Sequence, residues 1–430
     1  MTSASPHRDA PSGWRAPAAW VLLDWAASGF STVSITLLVA YVQKVVFADR
    51  AWGVDGGVVW AWTLSAAMLA SAAVAPFLAA WADRRHAHRA ALVASVLVGG
   101  CCCLLLAAVP PSARLAVAAL VAVVHVGFDL AAIFTASLLP GLAGGRDADR
   151  LSAAGFAAGY AGGGIALLLA TALVAAHERF GLSVAGGLRA AFALVGCWWI
   201  LFSLPAAIVR MEDGRGERHA ATSVGELVSF ARSLVGGDGG PHPLGGVLLG
   251  AVLVLGAVQT AIAQFSTLAF EEFHLDSAAL VRLVLLVQAI ALPGALGVGW
   301  LSTRYGRRAA LGVCLAGWAL MLALAWLVQT PAQLAVLAGF LGLVLGGVQS
   351  VIRATVAVLA PPGRAGATFG LMQVGTKLAG FVASLVFGGV LLVAGQPRGG
   401  LLTLLAQLLA GWWLLARVDG YASPSTSRIE

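Results

Sequence analysis

The chain has 430 residues, 60% of them hydrophobic and only 10% charged, with a mean hydropathy of +0.91. A water-soluble domain carries about 25% charged residues, so this composition excludes a protein whose whole surface is wet and points to lipid as the main solvent. The net charge of +7 does not indicate nucleic acid, because the basic residues are spread through short loops between apolar runs.

A bilayer core of about 30 Å needs about 20 apolar residues per helix. Twelve runs meet that length: roughly 18–47, 57–81, 90–109, 113–138, 151–176, 187–209, 244–269, 277–302, 308–328, 331–353, 365–394 and 399–417. The breaks carry turn-forming residues, among them Asp83-Arg84-Arg85, Pro110-Pro111, Pro140-Gly141 and Pro361-Pro362-Gly363. The runs are continuous rather than alternating, so spanning helices are expected and a closed barrel is not. The first run is too long for a signal-peptide core and lacks a small-residue cleavage pattern, so it is expected to be retained.

The organisation follows from these runs. A polar tail at 1–17 precedes a six-helix bundle at 18–209; a connecting segment at 210–243 leads to a second bundle at 244–417 and a tail at 418–430. In the connecting segment, Ser223 and Glu226 have capping-box spacing, and Val224, Leu227, Ala231 and Leu234 share a helical face, so the segment reads as a short surface helix or, alternatively, as a plain linker. With the N-terminus cytoplasmic, 18 of the 26 basic residues fall on the cytoplasmic side and six on the other: Lys44, Arg50, Arg114, Arg179, Arg189 and Arg398. The remaining two are Arg282, at the start of a span, and Lys377, within one. This positive-inside bias puts both termini in the cytoplasm. The excess of arginine over lysine, 24 to 2, carries no functional information by itself. The cysteines, Cys101, Cys102, Cys103, Cys197 and Cys314, lie in apolar runs without CxxC spacing, so neither disulfides nor a metal site is expected.

A shift of 220 residues lays one half on the other: Ala79 on Gly299, Arg84 on Arg304, Asp129 on Gln349, Thr135 on Thr355 and Gly155 on Gly375. A duplicated six-helix unit with its substrate site between the halves is a common transporter plan.

Ionisable residues inside lipid are functional candidates by default. Asp24, in LLDWAASGF (22–30), lies about two turns inside the first run. That shallow depth favours a gate, or a structural pair with a residue such as Arg353, over proton coupling. His125 and Asp129 stand four apart, hence on one helix face, as a candidate proton relay or an internal pair. Lys377 is the one lysine in any span, near the midplane, and needs a partner: Asp129, or an anionic group of a solute. Gln259, Gln264, Gln349 and Gln373 suit hydrogen bonding to a polar solute, or between helices. Gly155, Gly159, Gly162 and Gly163 favour close helix packing. There is no Gly-x4-Gly-Lys-Ser/Thr loop for an ATP-driven pump, since GLMQVGTK (370–377) lacks the order.

Several motifs carry a resemblance. GWLSTRYGRR (299–308) resembles the loop signature of the major facilitator superfamily, keeping Gly299, Arg304, Gly306, Arg307 and Arg308. The first-half copy keeps Asp83 and Arg84 but has Ala79, His86 and Ala87 where Gly, Gly and Arg are usual. LLDWAASGFSTV (22–33) resembles the Asp-Trp-Ala-Asn-Ser-Ala-Phe motif of the vacuolar-effluxer-like branch, with Ala27 for Asn and Gly29 for Ala. GYAGGG (159–164) and the stretch 346–381 resemble that branch's fifth, tenth and eleventh helices. The resemblance implies an all-α fold of twelve transmembrane helices in two pseudo-symmetric six-helix bundles. It implies a secondary transporter of a small polar solute, with amino acids as the suggested class and protons as a candidate coupling ion. Asp24, Asp83, Arg84, Gly299, Arg304, Gly306, Arg307, Arg308 and Arg353 are then gate or signature residues. Asp129, His125, Lys377, Gln259, Gln349 and Gln373 are the substrate or coupling candidates. No cofactor and no nucleic-acid partner is expected; the expected setting is a bacterial plasma membrane, with a monomer as the working unit. The rival reading is a non-transporting receptor or scaffold with a transporter fold.

Overall fold

The structure is a computed structural model that describes residues 13–49, 52–211, 224–235, 243–271, 273, 275–394 and 397–418. Among the described residues, twelve helices are long and apolar enough to cross a membrane. They are α1 (Arg15–Val46), α2 (Gly56–Arg85), α3 (His88–Ala108), α4 (Arg114–Leu142), α5 (Gly145–Ala175) and α6 (Val184–Ile208) in the first bundle. The second bundle holds α7 (Pro243–Glu271), α8 (Ser277–Tyr305), α9 (Arg307–Ala325), α10 (Pro331–Leu359), α11 (Ala365–Ala394) and α12 (Pro397–Arg417). Twelve consecutive crossings return the chain to the side it started from, here the near side.

Several helices outrun their apolar stretches. α2 continues through Arg84 and Arg85, so only His86 and Ala87 link it to α3. α4 runs through Pro140, which does not break it, and α5 begins at Gly145, six residues before its apolar run. Proline is tolerated inside membrane helices because neighbours re-satisfy the freed carbonyl. α1 starts at Arg15, so Asp24 lies nine residues in, about 14 Å along the axis and deeper than its apolar run implies. Its far half contains two π-helical segments, Ser34–Leu38 and Val42–Val46.

The excess of arginine has a structural use. Arg89, at the start of α3, donates to the carbonyls of Ala207 and Val209 at the end of α6, at 3.4 and 3.2 Å. Arg189, at the start of α6, donates to Ala107 and Ala108 at the end of α3, both at 2.8 Å. The second bundle repeats the exchange: Arg308 of α9 donates to Ala416 of α12, and Arg398 of α12 to Trp326 and Val328 beyond α9, at 3.0 and 2.7 Å. A guanidinium reaches two orphan carbonyls of a helix end at once, which a lysine ammonium does less well.

Between the bundles, α2 packs on α11 and α5 on α8 and α10. Close approach needs small residues on one side of each contact, and the two contacts place them differently. Gly299 of α8 abuts Ala153 of α5, whereas Ala79 of α2 is met by Gly366 and Gly370 of α11. The alanine at position 79 is therefore accommodated by glycines across the interface.

The connecting helix Val224–Val235 buries Phe230 and Leu234 against the near end of the molecule, and the Arg364 guanidinium lies 4.9 Å from the Phe230 ring. Ser223, half of the expected capping pair, and the glycine-rich run 236–242 lie outside the described residues.

Candidate functional site

Three polar layers join the bundles, from the near ends inward. The outermost has two ties. At the end of α2, Asp83 accepts from the backbone amides of Gly366 and Ala367 at 2.8 and 2.7 Å, and from His88 at 2.8 Å. α11 thus receives its N-terminal cap from the other bundle, while α2, α6, α8 and α10 use their own Asp55, Ser183, Asp276 and Thr330. On the other flank, Arg307 of α9 meets Asp149 of α5 at 2.8 Å and donates to the Gly145 carbonyl at 2.6 Å. Of the remaining signature residues, Arg304 and Arg308 are exposed and Arg84 is half-buried.

The second layer is Asp24 with Arg353, at 2.8 Å between α1 and α10. Arg353 also donates to the Ser152 hydroxyl at 3.0 Å and the Ser152 carbonyl at 2.9 Å. Its guanidinium is sandwiched 4.6 Å from the Trp20 ring and 4.3 Å from the Phe156 ring. Trp20 is fixed in turn by donating to the Thr135 carbonyl at 2.7 Å. Gly155 makes room for this cluster: a Cβ there would collide with the Asp24 carboxylate and lie 2.8 Å from Arg353 Nη2. Removing one member of a buried pair strands the other, at a cost of about 3–5 kcal/mol.

The third layer is at mid-depth. Lys377 Nζ lies 2.9 Å from Asp129 Oδ1, between α11 and α4. Gln373, one turn before Lys377, donates to the same oxygen at 3.2 Å, and Ser71 of α2 donates to Oδ2 at 2.8 Å. His125 is not bonded to Asp129, although the two share a helix face. Its Nδ1 lies 2.8 Å from the Val121 carbonyl and its Nε2 3.0 Å from the Ser34 hydroxyl. A carbonyl only accepts, so Nδ1 carries a proton, and both ring nitrogens are committed to Val121 and Ser34. Phe30 and Trp60 pack edge-on to the ring, at 5.2 and 5.9 Å between centroids.

The other candidates disperse. Among the described residues, Gln349 donates to the Leu345 carbonyl of its own helix, at 3.5 Å. Gln259 is exposed, and Gln264 lines a small apolar cavity inside the second bundle with Trp318 and Met321. Gly159, Gly162 and Gly163 all face α1, against Ser28, Trp25 and Thr32. Several of the polar contacts carry no signal in composition. Gln288 of α8 donates to Thr32 of α1 at 2.9 Å, the deepest of the bonds between bundles described here. Ser71 and Ser152 are ordinary serines in apolar helices, and Asp149 sits in what reads as a loop.

Comparison with known proteins agrees with this architecture. The profile of the family described as "Vacuole effluxer Atg22 like" matches residues 58–423. An uncharacterized MFS-type transporter of Bacillus subtilis (strain 168), YxiO, is 23% identical over 418 residues, covering 95% of this chain and 96% of that protein. Autophagy-related protein 22 of Gibberella zeae is 25% identical over 262 residues, 55% of this chain and 38% of that protein. Among solved structures, the E. coli fucose:proton symporter FucP superposes with a TM-score of 0.71 at 12% identity, over 94% of this chain and 98% of that one. The proton:xylose symporter XylE gives 0.70 at 13% identity, over 94% and 95%. At such identities the likeness shows the fold. The profile match over most of the chain shows more: this multi-pass membrane protein belongs to the vacuole effluxer Atg22-like family, a branch of the major facilitator superfamily of transporters.

Proposed function

We propose that this transporter moves a small polar solute across a bacterial plasma membrane by alternating access of its two bundles, with protons as the coupling ion. Amino acids are the first class to test, since the first-helix motif resembles that of amino-acid effluxers. The observation that carries the reading is the Asp129–Lys377 pair, a charge contact at mid-depth between the bundles, where a purely structural contact would be cheaper as packed apolar side chains. The near side is read as cytoplasmic from its excess of basic residues. Asp24–Arg353, Asp83 with the start of α11, and Arg307–Asp149 then form the cytoplasmic gate, closed in this structure. The bundles rock about the central site, and the gate breaks as the opposite side closes.

Counterflow in proteoliposomes tests this. Vesicles holding the full chain and loaded with an unlabelled amino-acid mixture should accumulate labelled amino acids saturably. A pH gradient should change the rate, and Lys377→Ala should lower it at least tenfold. Flux indifferent to the gradient removes the proton coupling. No flux with any solute, from protein that still melts cooperatively, favours the receptor reading.

A further inference from the structure

The central pair is built asymmetrically. Ser71 and Asp129 belong to the first bundle, Gln373 and Lys377 to the second. The two groups on α11 both grip Oδ1, while Oδ2 keeps the Ser71 hydroxyl. When α11 moves away, Asp129 retains a donor. Lys377 retains none of its charge balance, since Asp129 is the one carboxylate paired with it among the described residues.

The surrounding charges are already committed. On α4 itself, His125 is held by Val121 and by Ser34 of α1. From α1 and α10, Asp24 and Arg353 hold each other. On α2, Asp83 caps α11 at the near end, close to His88 of α3, and on α5 Asp149 is taken by Arg307. α3 meets α4 at Gly127 through the Ser95 carbonyl and Gly99. No other described acid can take over Lys377 at its depth.

A bare ammonium and a bare carboxylate in a low-dielectric interior are costly enough to hold the bundles where they are. The carboxylate has a simple release, protonation. The ammonium needs an anion, and the described residues supply no second one at its depth.

We propose that the transported solute carries an anionic oxygen group, a carboxylate or a phosphate ester, that takes Lys377 while Asp129 takes a proton, so that anion and proton travel together. This rests on the transporter reading above and specifies its solute and its coupling. The charges balance: the resting pair sums to zero, and so does a loaded site of ammonium, monoanion and neutral carboxylic acid. The proton comes from the water on the side where the solute enters and leaves with it on the other. The cycle is electroneutral for a monoanion.

Thermal unfolding of the purified full chain tests the idea without turnover, because a ligand of the folded state raises its unfolding midpoint. The probes are L-lactate and dimethyl phosphate, monoanions throughout pH 5.5–8, with mannitol as the neutral control. In the unaltered protein, apparent affinity for the responding anion should rise about tenfold per pH unit lowered, since one proton is taken up with it. Asp129→Asn leaves Lys377 without its counter-ion, so anion binding should be tighter than normal at pH 8 and lose its pH dependence. Lys377→Gln should abolish it. Lactate and dimethyl phosphate separate the carboxylate source from the phosphate source. The proposal is overturned by mannitol acting like the anions, by an anion response that survives Lys377→Gln, or by no anion response in Asp129→Asn. If a single variant fails to fold, the charge-balanced double variant decides: an anion response there overturns the proposal and its loss supports it. Any of these failures leaves the counterflow result standing, so the transporter reading is judged separately.

Discussion

His86 closes α2 at φ 50° and ψ 45°, the left-handed region, and is the one described non-glycine residue with positive φ. Its counterpart at the 220-residue offset, Gly306, has φ 89° and ψ 159°. The two conformations explain why the loop signature keeps its glycine in only one copy. Left-handed helical geometry costs a side chain about 1–2 kcal/mol, whereas the region occupied by Gly306 is essentially closed to residues with a Cβ. His86→Gly should therefore stabilise the protein by about 0.5–1 kcal/mol, part of the relief being offset by the greater freedom of glycine in the unfolded chain. Gly306→Ala should destabilise it by about 1–3 kcal/mol. Thermal midpoints of the two purified variants, shifted in opposite directions, check this. At the same scale, the Lys377–Asp129 contact was legible because charge in lipid is rare and must be paired. The His125–Asp129 contact was not formed, because spacing fixes a shared face but not where a ring turns; His125 turns back to Val121 and across to Ser34.

The elements themselves were readable, since the bilayer sets their length and backbone satisfaction their type. What composition missed is how far helices extend past their apolar runs. Asp83, Arg84 and Asp149 are helical, and the two aspartates are buried against protein neighbours that take up their charge. The glycines of α5 show how packing sets the helix spacing at this scale. A Cβ on Gly162 would run into the Trp25 carbonyl and sit 2.9 Å from its indole, and a backbone carbonyl cannot yield as a flexible side chain does. One added on Gly164 would meet only Gln288 Cβ, at 3.6 Å. Gly162→Ala should therefore push α5 off α1 and cost about 1–3 kcal/mol. Gly164→Ala should gain about 0.5–1 kcal/mol from helix propensity. A loss in the first variant and not in the second would show that α5 is held against α1 by backbone proximity. Equal effects would mean that the α1–α5 seam can spread without penalty.

For the whole molecule, the consequence is that closure on the near side rests on ties that do not share partners. Asp83 holds the first turn of α11, and Arg307 holds the first turn of α5. Each tie joins a helix start of one bundle to a residue of the other, so each breaks only when the bundles separate. An N-terminal cap is worth about 0.5–2 kcal/mol, and a tie of about 1.4 kcal/mol changes an opening equilibrium about tenfold. Asp83→Asn, which weakens two charge-assisted amide bonds, should speed amide exchange at Gly366 and Ala367 by about that factor. It should also speed exchange, more weakly, at the start of α5, because both ends open in one motion. Arg307→Ala should give the converse pattern, strongest at the start of α5. With separate partners, the free-energy effects should add in the double variant, giving exchange faster than in either single variant at both places, between about tenfold and a hundredfold. If each variant loosened only its own helix end and the double variant stayed confined to those two turns, the ties would be local caps. Exchange that spreads from either tie to both helix ends would identify them as parts of one gate, the property that alternating access requires of a two-bundle protein.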